Sequence, residues 1–397
     1  MARYTTAEPL ATKRSACYAG RPNDRSSAHR ARAFQHAMTS RIVPDQERNL
    51  RIALFHTTLP RPARKPAGVE VAVHRLANAL VDLARDEVTV VSAVAPPHDA
   101  RYAYQPFLRD ARFIQENWIA RSLLLPALLN FMDFSRFDVL HLHGDDWFYF
   151  LRPRTTLRTM HGSALREAQH ASSKKHRAFM YGIYALEHLS ARLCRLPIAV
   201  GRDTAMIYGL DEVVPLGVDE SVFFPGTKRA TPRILFVGTW AGRKRGQFAY
   251  EAFVRHVLPR FPDAELCMVS DYCPTHPRVV AEKLLDDVAL AERFREAWVF
   301  ALPSVYEGFG IPYLEALASG TPVVASPNSG AFDILDDGRA GILVEDDRFG
   351  PAVADLLEDE GRRLSLASIG IERARKYSWR AVALRHRELY LSVLSVP

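Results

Sequence analysis

Trp298-Val-Phe-Ala-Leu-Pro-Ser-Val-Tyr-Glu-Gly-Phe-Gly-Ile-Pro-Tyr-Leu-Glu-Ala-Leu-Ala-Ser-Gly-Thr-Pro-Val-Val-Ala325 is the stretch whose reading decides the fold. Trp298 to Leu302 is a short apolar run, as a strand buried on both faces requires. Pro303 and Ser304 end it. Pro312 suits the first turn of a helix, where its fixed φ is helical and its missing N–H costs nothing. Gly320, Thr321 and Pro322 close that helix, and Val323-Val324-Ala325 begins another strand. Strand, helix and strand make a βαβ unit with a right-handed crossover.

The chemistry belongs at the first turn of this unit. Gly308 and Gly310 flank Phe309 and allow the backbone to approach a ligand. The start of the following helix carries unpaired N–H groups and a partial positive charge, which favour a phosphate or diphosphate. Glu307 precedes the turn, and Glu315 is expected in the first helical turn. Carboxylates beside a phosphate site make sense as acceptors for hydroxyls of a sugar and a ribose. A surface loop with a helix-capping glutamate is the plainer alternative.

The whole stretch resembles the nucleotide-sugar signature of retaining glycosyltransferases of family 4, which have the GT-B fold. The pattern is Pro-Ser, then Glu-Gly-Phe-Gly, then Glu-Ala-hydrophobic-Ala-x-Gly-x-Pro-Val-Val, and it matches at nearly every position. The resemblance implies that Glu307 contacts donor sugar hydroxyls and that Glu315 contacts the donor ribose. It also implies that the amides around Phe309, Gly310 and Ile311 contact the diphosphate.

Composition is ordinary for a soluble globular protein. The chain has 397 residues, 48% of them hydrophobic and 24% charged, enough for two domains. Four scattered cysteines lack metal-ligand spacing, and a reduced, cytoplasmic setting is expected. The apolar run near Leu123–Phe134 is interrupted by Pro126 and is too short to span a bilayer, and no apolar segment opens the chain as a secretory signal would. Net charge is +7, but residues 1–48 hold nine Lys/Arg against four acids, 9 − 4 = +5. The remainder is near neutral, so nucleic acid is not an expected partner. Residues 1–48 lack apolar periodicity and read as a disordered basic tail; an organelle transit peptide has a similar composition, and a start at Met38 is the other alternative.

Taken from the N-terminus, strands are expected at Arg51–Phe55, Glu87–Ser92, Phe137–His143, Leu157–Met160 and Pro197–Val200. Helices are expected at Gly68–Leu83, Tyr181–Leu193 and Asp203–Leu210. Ala67-Gly68-Val69-Glu70 resembles the family's Gly-Gly-x-Glu loop, with Ala67 for the first glycine; the resemblance implies that Gly68 faces the donor phosphate. His143 and His161 end parallel strands, where side chains face the crevice of an open sheet. Either is also compatible with a structural role. The resemblance favours His161, in Thr159-Met-His-Gly162, as a residue beside the donor sugar.

A linker is expected at 218–232, after Val213-Val-Pro-Leu-Gly-Val-Asp219. Arg233–Val237 opens the second domain and leads into Gly238-Thr-Trp-Ala-Gly-Arg-Lys-Arg-Gly246, with a helix over about Gln247–Leu258. Three consecutive cations, Arg243, Lys244 and Arg245, suit a diphosphate leaving group, and a solvated charge run is the alternative. In the family a lysine precedes the last glycine of this loop. Arg245 stands at that position and Lys244 one before it, so which cation meets the phosphate stays open. Ala264–Val269 is a strand, and the segment from there to Ala297 reads as mostly helical. Asp333 takes the place of a family glutamate, Gly338–Val344 should be the closing strand, and Ser378 should cap a last helix, to Leu394, that crosses back to the first domain.

These expectations give two Rossmann-like domains at 49–217 and 233–377, with residues 378–397 returning to the first. The resemblance implies sugar transfer from a UDP-, GDP- or ADP-sugar to a sugar, lipid-linked or small-molecule acceptor, with retention and without a cofactor. Peripheral contact with the inner membrane face is compatible with such acceptors. No Asp-x-Asp occurs, so metal-independent transfer is expected. A GT-B epimerase or phosphorylase is the alternative enzyme, distinguished by nucleotide release without an acceptor. A nucleotide-sugar-binding protein of weak activity is the other alternative, suggested by Thr239 where the family has arginine.

Overall fold

The computed structural model describes residues 48–61, 68–83, 86–107, 124–171, 173–283 and 285–395. The basic tail up to Glu47, and Ala67 in the first loop, lie outside them. From Glu47 onward the chain forms one compact unit.

Two parallel sheets organise that unit. The first contains β1 (Arg51–Phe55), β2 (Glu87–Ser92), β3 (Ala103–Pro106), β4 (Val139–Leu142), β5 (Thr156–Met160), β6 (Leu196–Ala199) and β7 (Glu212–Val213), in the order β3-β2-β1-β4-β5-β6-β7. The second contains β8 (Arg233–Val237), β9 (Glu265–Val269), β10 (Val279–Glu282), β11 (Val299–Leu302), β12 (Val323–Ala325) and β13 (Ile342–Leu343), in the order β10-β9-β8-β11-β12-β13. Every pairing in both sheets is parallel. The central strands β4, β5, β8, β11 and β12 are buried at every position. Burial on both faces explains the apolar runs of β11 and β12, because helices cover both faces of such sheets, whereas β4, β5 and β8 also bury His141, Arg158 and Arg233.

Helices α1 (Gly68–Leu83), α2 (Ala164–His170), α3 (Lys174–Leu193) and α4 (Arg202–Tyr208) accompany the first sheet. With the second run α5 (Gly246–Ala252), α6 (Asp287–Glu296), α7 (Ile311–Ala318), α8 (Ser329–Ile334), α9 (Asp346–Glu358) and α10 (Glu360–Ala374). The last helix, α11 (Trp379–Leu394), is capped by the Ser378 hydroxyl, which accepts from the Ala381 N–H. It returns to the first sheet and packs against α1. There the Tyr390 hydroxyl bonds His141 Nδ1 at 2.8 Å, and Arg387 pairs with buried Asp86 at 2.8 Å.

Several expected elements differ. The segment before Ala297 holds the edge strand β10 as well as α6, since Val279-Val280 pairs in register with Leu266-Cys267. The helix expected over Gln247–Leu258 is regular only to Ala252 and continues as a wider π-type turn at Phe253–Val257. The closing strand shrinks to Ile342–Leu343. Glu315 is not in the first turn: α7 begins at Ile311, so Glu315 is its fifth residue.

Candidate functional site

An open parallel sheet leaves a crevice where strand order reverses, at the C-terminal ends of the two flanking strands. In the second sheet that point lies between β8 and β11. The loop after β8 carries the three cations, and the loop after β11 carries Glu307. The switch point therefore brings together two loops that are far apart in sequence, with 63 positions between Arg243 and Tyr306.

Close approach there depends on Gly238. A Cβ at this position would lie 2.8 Å from Cβ of Lys244 and 2.8 Å from the Phe236 ring. With the loop folded this tightly, Lys244 Nζ reaches Glu307 Oε1 at 2.7 Å and Arg243 Nη1 reaches Oε2 at 2.9 Å. Arg243 also donates to the Tyr306 carbonyl at 2.8 Å, and the Ser304 hydroxyl donates to Glu307 Oε1 at 2.7 Å. Glu307 is buried. Burial alone raises its pKa, but Lys244, Arg243 and the Ser304 hydroxyl outweigh it and hold the carboxyl below its ordinary value. The site thus contains an ionised carboxylate between two cations, with a net positive charge facing the cleft.

Arg245 points elsewhere. Its backbone is left-handed, at φ 57°, which turns the side chain away from its two neighbours. It makes a two-bonded contact with Asp346, at 2.7 and 3.0 Å, and lies 4.2 Å over the Phe248 ring. The structure gathers Arg243, Lys244 and Glu307 and leaves Arg245 outside that group.

The start of α7 is shaped by Gly310, whose φ of +94° only glycine adopts readily, and where a Cβ would strike Tyr313 at 2.6 Å. Phe309 is buried, so its side chain is packing and its backbone faces the turn. Ile311 meets the first sheet's side, since a Cβ on Gly68 would sit 3.9 Å from its Cδ1. Gly308 lies against the His161 carbonyl, at 3.3 Å from where its Cβ would be. Glu315 is half-buried one turn along α7.

From the first sheet comes His161, at the end of β5. Its Nε2 shares a 2.9 Å hydrogen bond with Nδ1 of His143, at the end of β4. Burial holds its pKa down at about 3, helped by His56, Arg158 and His386, so the ring is neutral. Among the described residues, His161 Nδ1 and His143 Nε2 have no hydrogen-bond partner. Both rings border a small cavity that also touches His386 and Trp379 of α11.

Tyr306 and Asp333 were not singled out as cleft-bridging groups in the sequence. Tyr306 stacks on His170 at 5.6 Å between centroids and 13° between planes, and its hydroxyl meets the backbone at Ser163. Asp333 accepts from the Arg202 N–H at 2.9 Å and pairs with its guanidinium, which also reaches Asp337 at 3.1 Å. An aromatic residue one position before Glu307 was the only available signal for Tyr306. No short motif announces Arg202 and Asp333, which lie 131 residues apart.

Residues 66–222 match the model of the Glycosyltransferase Family 4 domain, and residues 231–359 match that of Glycosyl transferases group 1. A phosphatidyl-myo-inositol mannosyltransferase of Mycolicibacterium smegmatis is 30% identical over 358 residues, which cover 83% of this chain and 91% of that protein. The chain belongs to glycosyltransferase family 4. A D-inositol 3-phosphate glycosyltransferase of Corynebacterium kroppenstedtii is 30% identical over 216 residues, 46% of this chain. There the match spans about half of the relative, 48% of its length.

Among solved structures, sucrose-phosphate synthase of Thermosynechococcus elongatus superposes with a TM-score of 0.69 at 19% identity, covering 88% of this chain and all of that one. HepE of Anabaena, solved with UDP and glucose, gives 0.65 at 15% identity over 86% of this chain and 99% of its own. These likenesses establish the GT-B fold for this family 4 member. No helix among the described residues is long and apolar enough to cross a membrane.

Proposed function

We propose that the protein transfers a sugar from a nucleoside diphosphate sugar to a hydroxyl of an inositol-containing or lipid-linked acceptor, with retention at the anomeric carbon. The observation that carries this reading is the ionised Glu307 clasped by Lys244 and Arg243 at the switch point of the second sheet. Such a group offers cations to a diphosphate and a carboxylate to sugar hydroxyls within one loop pair. The acceptor class is supported by the activities of two relatives, a phosphatidyl-myo-inositol mannosyltransferase and a D-inositol 3-phosphate glycosyltransferase.

In this reading the bond from the anomeric carbon to the diphosphate oxygen breaks, and the bond to the acceptor oxygen forms on the same face. The acceptor proton passes to the departing diphosphate. Lys244, Arg243 and the amides of Phe309, Gly310 and Ile311 stabilise the charge that develops there, in a site already organised before reaction. Gly68 and Gly238 let backbone approach the phosphates. Neutral His161 and Glu307 hold the donor sugar, and Glu315 holds the ribose. Arg245, tied to Asp346, positions the loop that carries the other cations.

The test is a donor screen by thermal shift with UDP-, GDP- and ADP-sugars, followed by transfer to phosphatidylinositol and to inositol 3-phosphate. Product with the donor's anomeric configuration, by NMR, supports the reading. Nucleotide release that does not depend on any acceptor would replace it with epimerisation or hydrolysis.

A further inference from the structure

The proposed transfer site takes the side chain of His161 from the first sheet, and the packing beneath it runs inward to the last helix. Nε2 of His161 is engaged by Nδ1 of His143 at 2.9 Å, with the ring planes 35° apart. The His143 ring in turn rests on His141, tilted by 40° at 4.0 Å between centroids. His141 is held at both nitrogens: Nδ1 bonds the Tyr390 hydroxyl of α11 and Nε2 the Thr159 hydroxyl, each at 2.8 Å. His141 and His143 are both buried. His161 is the outer member of the row, half-buried, with its carbonyl against Gly308 of the turn after β11. The row therefore carries a fixed ring position from α11 to the edge of the cleft.

Counting protons along this row decides what His161 offers a ligand. Burial holds both rings of the bonded pair below their ordinary pKa, so each is neutral at pH 7. A neutral imidazole has one N–H and one bare nitrogen. Two neutral rings joined by a hydrogen bond therefore keep one proton in the shared bond and one at an outer nitrogen. The outer nitrogens are His161 Nδ1 and His143 Nε2, and neither has a partner among the described residues. An N–H left unpaired in the interior is costly. On His143 Nε2 the proton would lie beneath the site, out of a ligand's reach. On His161 Nδ1 it belongs to the ring that borders the cleft, where an oxygen of the donor sugar accepts it.

We infer that His143 is a positioning residue for transfer: its Nδ1–H donates to Nε2 of His161 and so fixes His161 as a neutral ring that presents Nδ1–H to the donor sugar. The hydrogen bond made by one ring nitrogen sets which nitrogen carries the proton. Glu307, ionised between Lys244 and Arg243, only accepts. With His161 as an N–H donor, the sugar meets one donor and one acceptor, and its hydroxyls are read in both directions. A carboxylate at position 143 would orient the ring too, but it would favour the protonated, charged form. A further cation there would repel the positive charge that grows on the sugar as its diphosphate leaves. Histidine orients the ring without charging it. The purpose of this arrangement rests on the proposed contact between His161 and the donor sugar; the position of the proton does not, and it is read without any donor.

The full chain, labelled with 15N-histidine, is studied by multiple-bond 1H–15N correlation at pH 7.5 with no ligand added. The His161 signals are assigned by their loss in His161→Asn. In wild type, Nδ1 of His161 is expected at the shift of a protonated nitrogen and Nε2 at that of a bare one. His143→Leu removes the orienting bond, and both His161 shifts should move towards intermediate values. Transfer by His143→Leu should lose about tenfold in kcat, the worth of one hydrogen bond. Its affinity for UDP, GDP or ADP, whichever the donor screen selects, should stay unchanged, because His161 meets the sugar and not the nucleotide. His143→Gln, whose amide N–H donates to the same nitrogen, should restore the wild-type shifts and most of kcat. The inference is overturned if wild-type His161 carries its proton on Nε2, or if His143→Leu keeps the wild-type shifts. A His143→Leu variant with undiminished kcat overturns it as well, as does a His143→Gln variant that recovers neither readout. Absence of transfer with every donor would defeat the proposed function, and the wild-type shifts would still decide where the proton lies.

Discussion

Acid should unfold this protein through its buried histidines, well before its carboxylates titrate. The His141 and His143 rings lie 4.0 Å apart between centroids, tilted by 40°, His141 lies 5.2 Å from His386, and His143 lies 5.2 Å from His161. Burial depresses all four: His161 to about 3, His386 to about 4, and His141 and His143 well below the ordinary value. In the unfolded chain each returns to about 6.5. The folded values lie below the unfolded one, so the unfolded state takes up protons that the native state refuses. Stability is therefore complete above about pH 7 and falls as pH drops through 6.5 towards the folded values. At pH 5.5, one unit below the unfolded value, each histidine that stays neutral costs roughly 1 kcal/mol, so the cluster together costs several kcal/mol. That is comparable to the whole stability of an ordinary domain, about 5–15 kcal/mol.

Urea unfolding followed by tryptophan fluorescence at pH 7.5, 6.5 and 5.5 measures this loss. His386→Leu sharpens the assay. His386 Nδ1 donates to the Val382 carbonyl at 3.0 Å and its Nε2 has no partner among the described residues. The change removes one hydrogen bond, worth about 1 kcal/mol, and one of the four titrating groups. Wild type and variant should lie within about 1 kcal/mol of each other at pH 7.5. At pH 5.5 the variant should have gained roughly 1 kcal/mol relative to its difference from wild type at pH 7.5. A wild-type stability that is flat from pH 7.5 to 5.5, or two parallel curves, would refute the reasoning.

Three other expectations concern the site and the termini. Glu307→Gln should weaken the intact nucleotide-sugar by about 1.5–3 kcal/mol, the worth of a charge-assisted hydrogen bond, and the free nucleoside diphosphate less; Glu315→Gln should weaken both alike, and calorimetric titration of the two variants with the two ligands separates these outcomes. Turnover should survive EDTA, and loss on chelation with recovery on adding manganese or magnesium would contradict charge stabilisation by Lys244 and Arg243. Deleting residues 1–37 should leave melting temperature and donor binding nearly unchanged, and a large drop in melting temperature would show that the segment packs on the fold.

The sequence made the central strands legible because burial on both faces demands apolar runs, and proline and glycine punctuate them. The unit β11–α7–β12 is the clearest example. Edge strands were harder. Ala103–Pro106 and Val279–Glu282 have no fully buried position, and the apolar part of the second, Val279-Val280-Ala281, is too short to mark a strand. The direction of each cation was not legible either, because it depends on one left-handed residue, Arg245, in a run of three similar side chains. The histidine pair could be named individually as strand ends. Their contact depends on β4 and β5 being neighbours, which is a property of topology. The same is true of Arg202 with Asp333 and of Tyr306 with His170, where the partners belong to different sheets.

The return of α11 to the first sheet has a consequence for synthesis. When the ribosome has finished the first sheet at Val213, Asp86 and His141 have Leu50 and Thr159 beside them but each lacks its second partner: Arg387 and Tyr390 are still unread message. At roughly 5–20 residues per second, the nascent chain waits about 10–35 s before its last helix arrives. During that time α1 has an open apolar flank and Asp86 a buried charge without its cation. The amino-terminal half therefore matures last, although it is made first. A premature stop that removes only the final helix strikes the half of the molecule farthest from it in the gene.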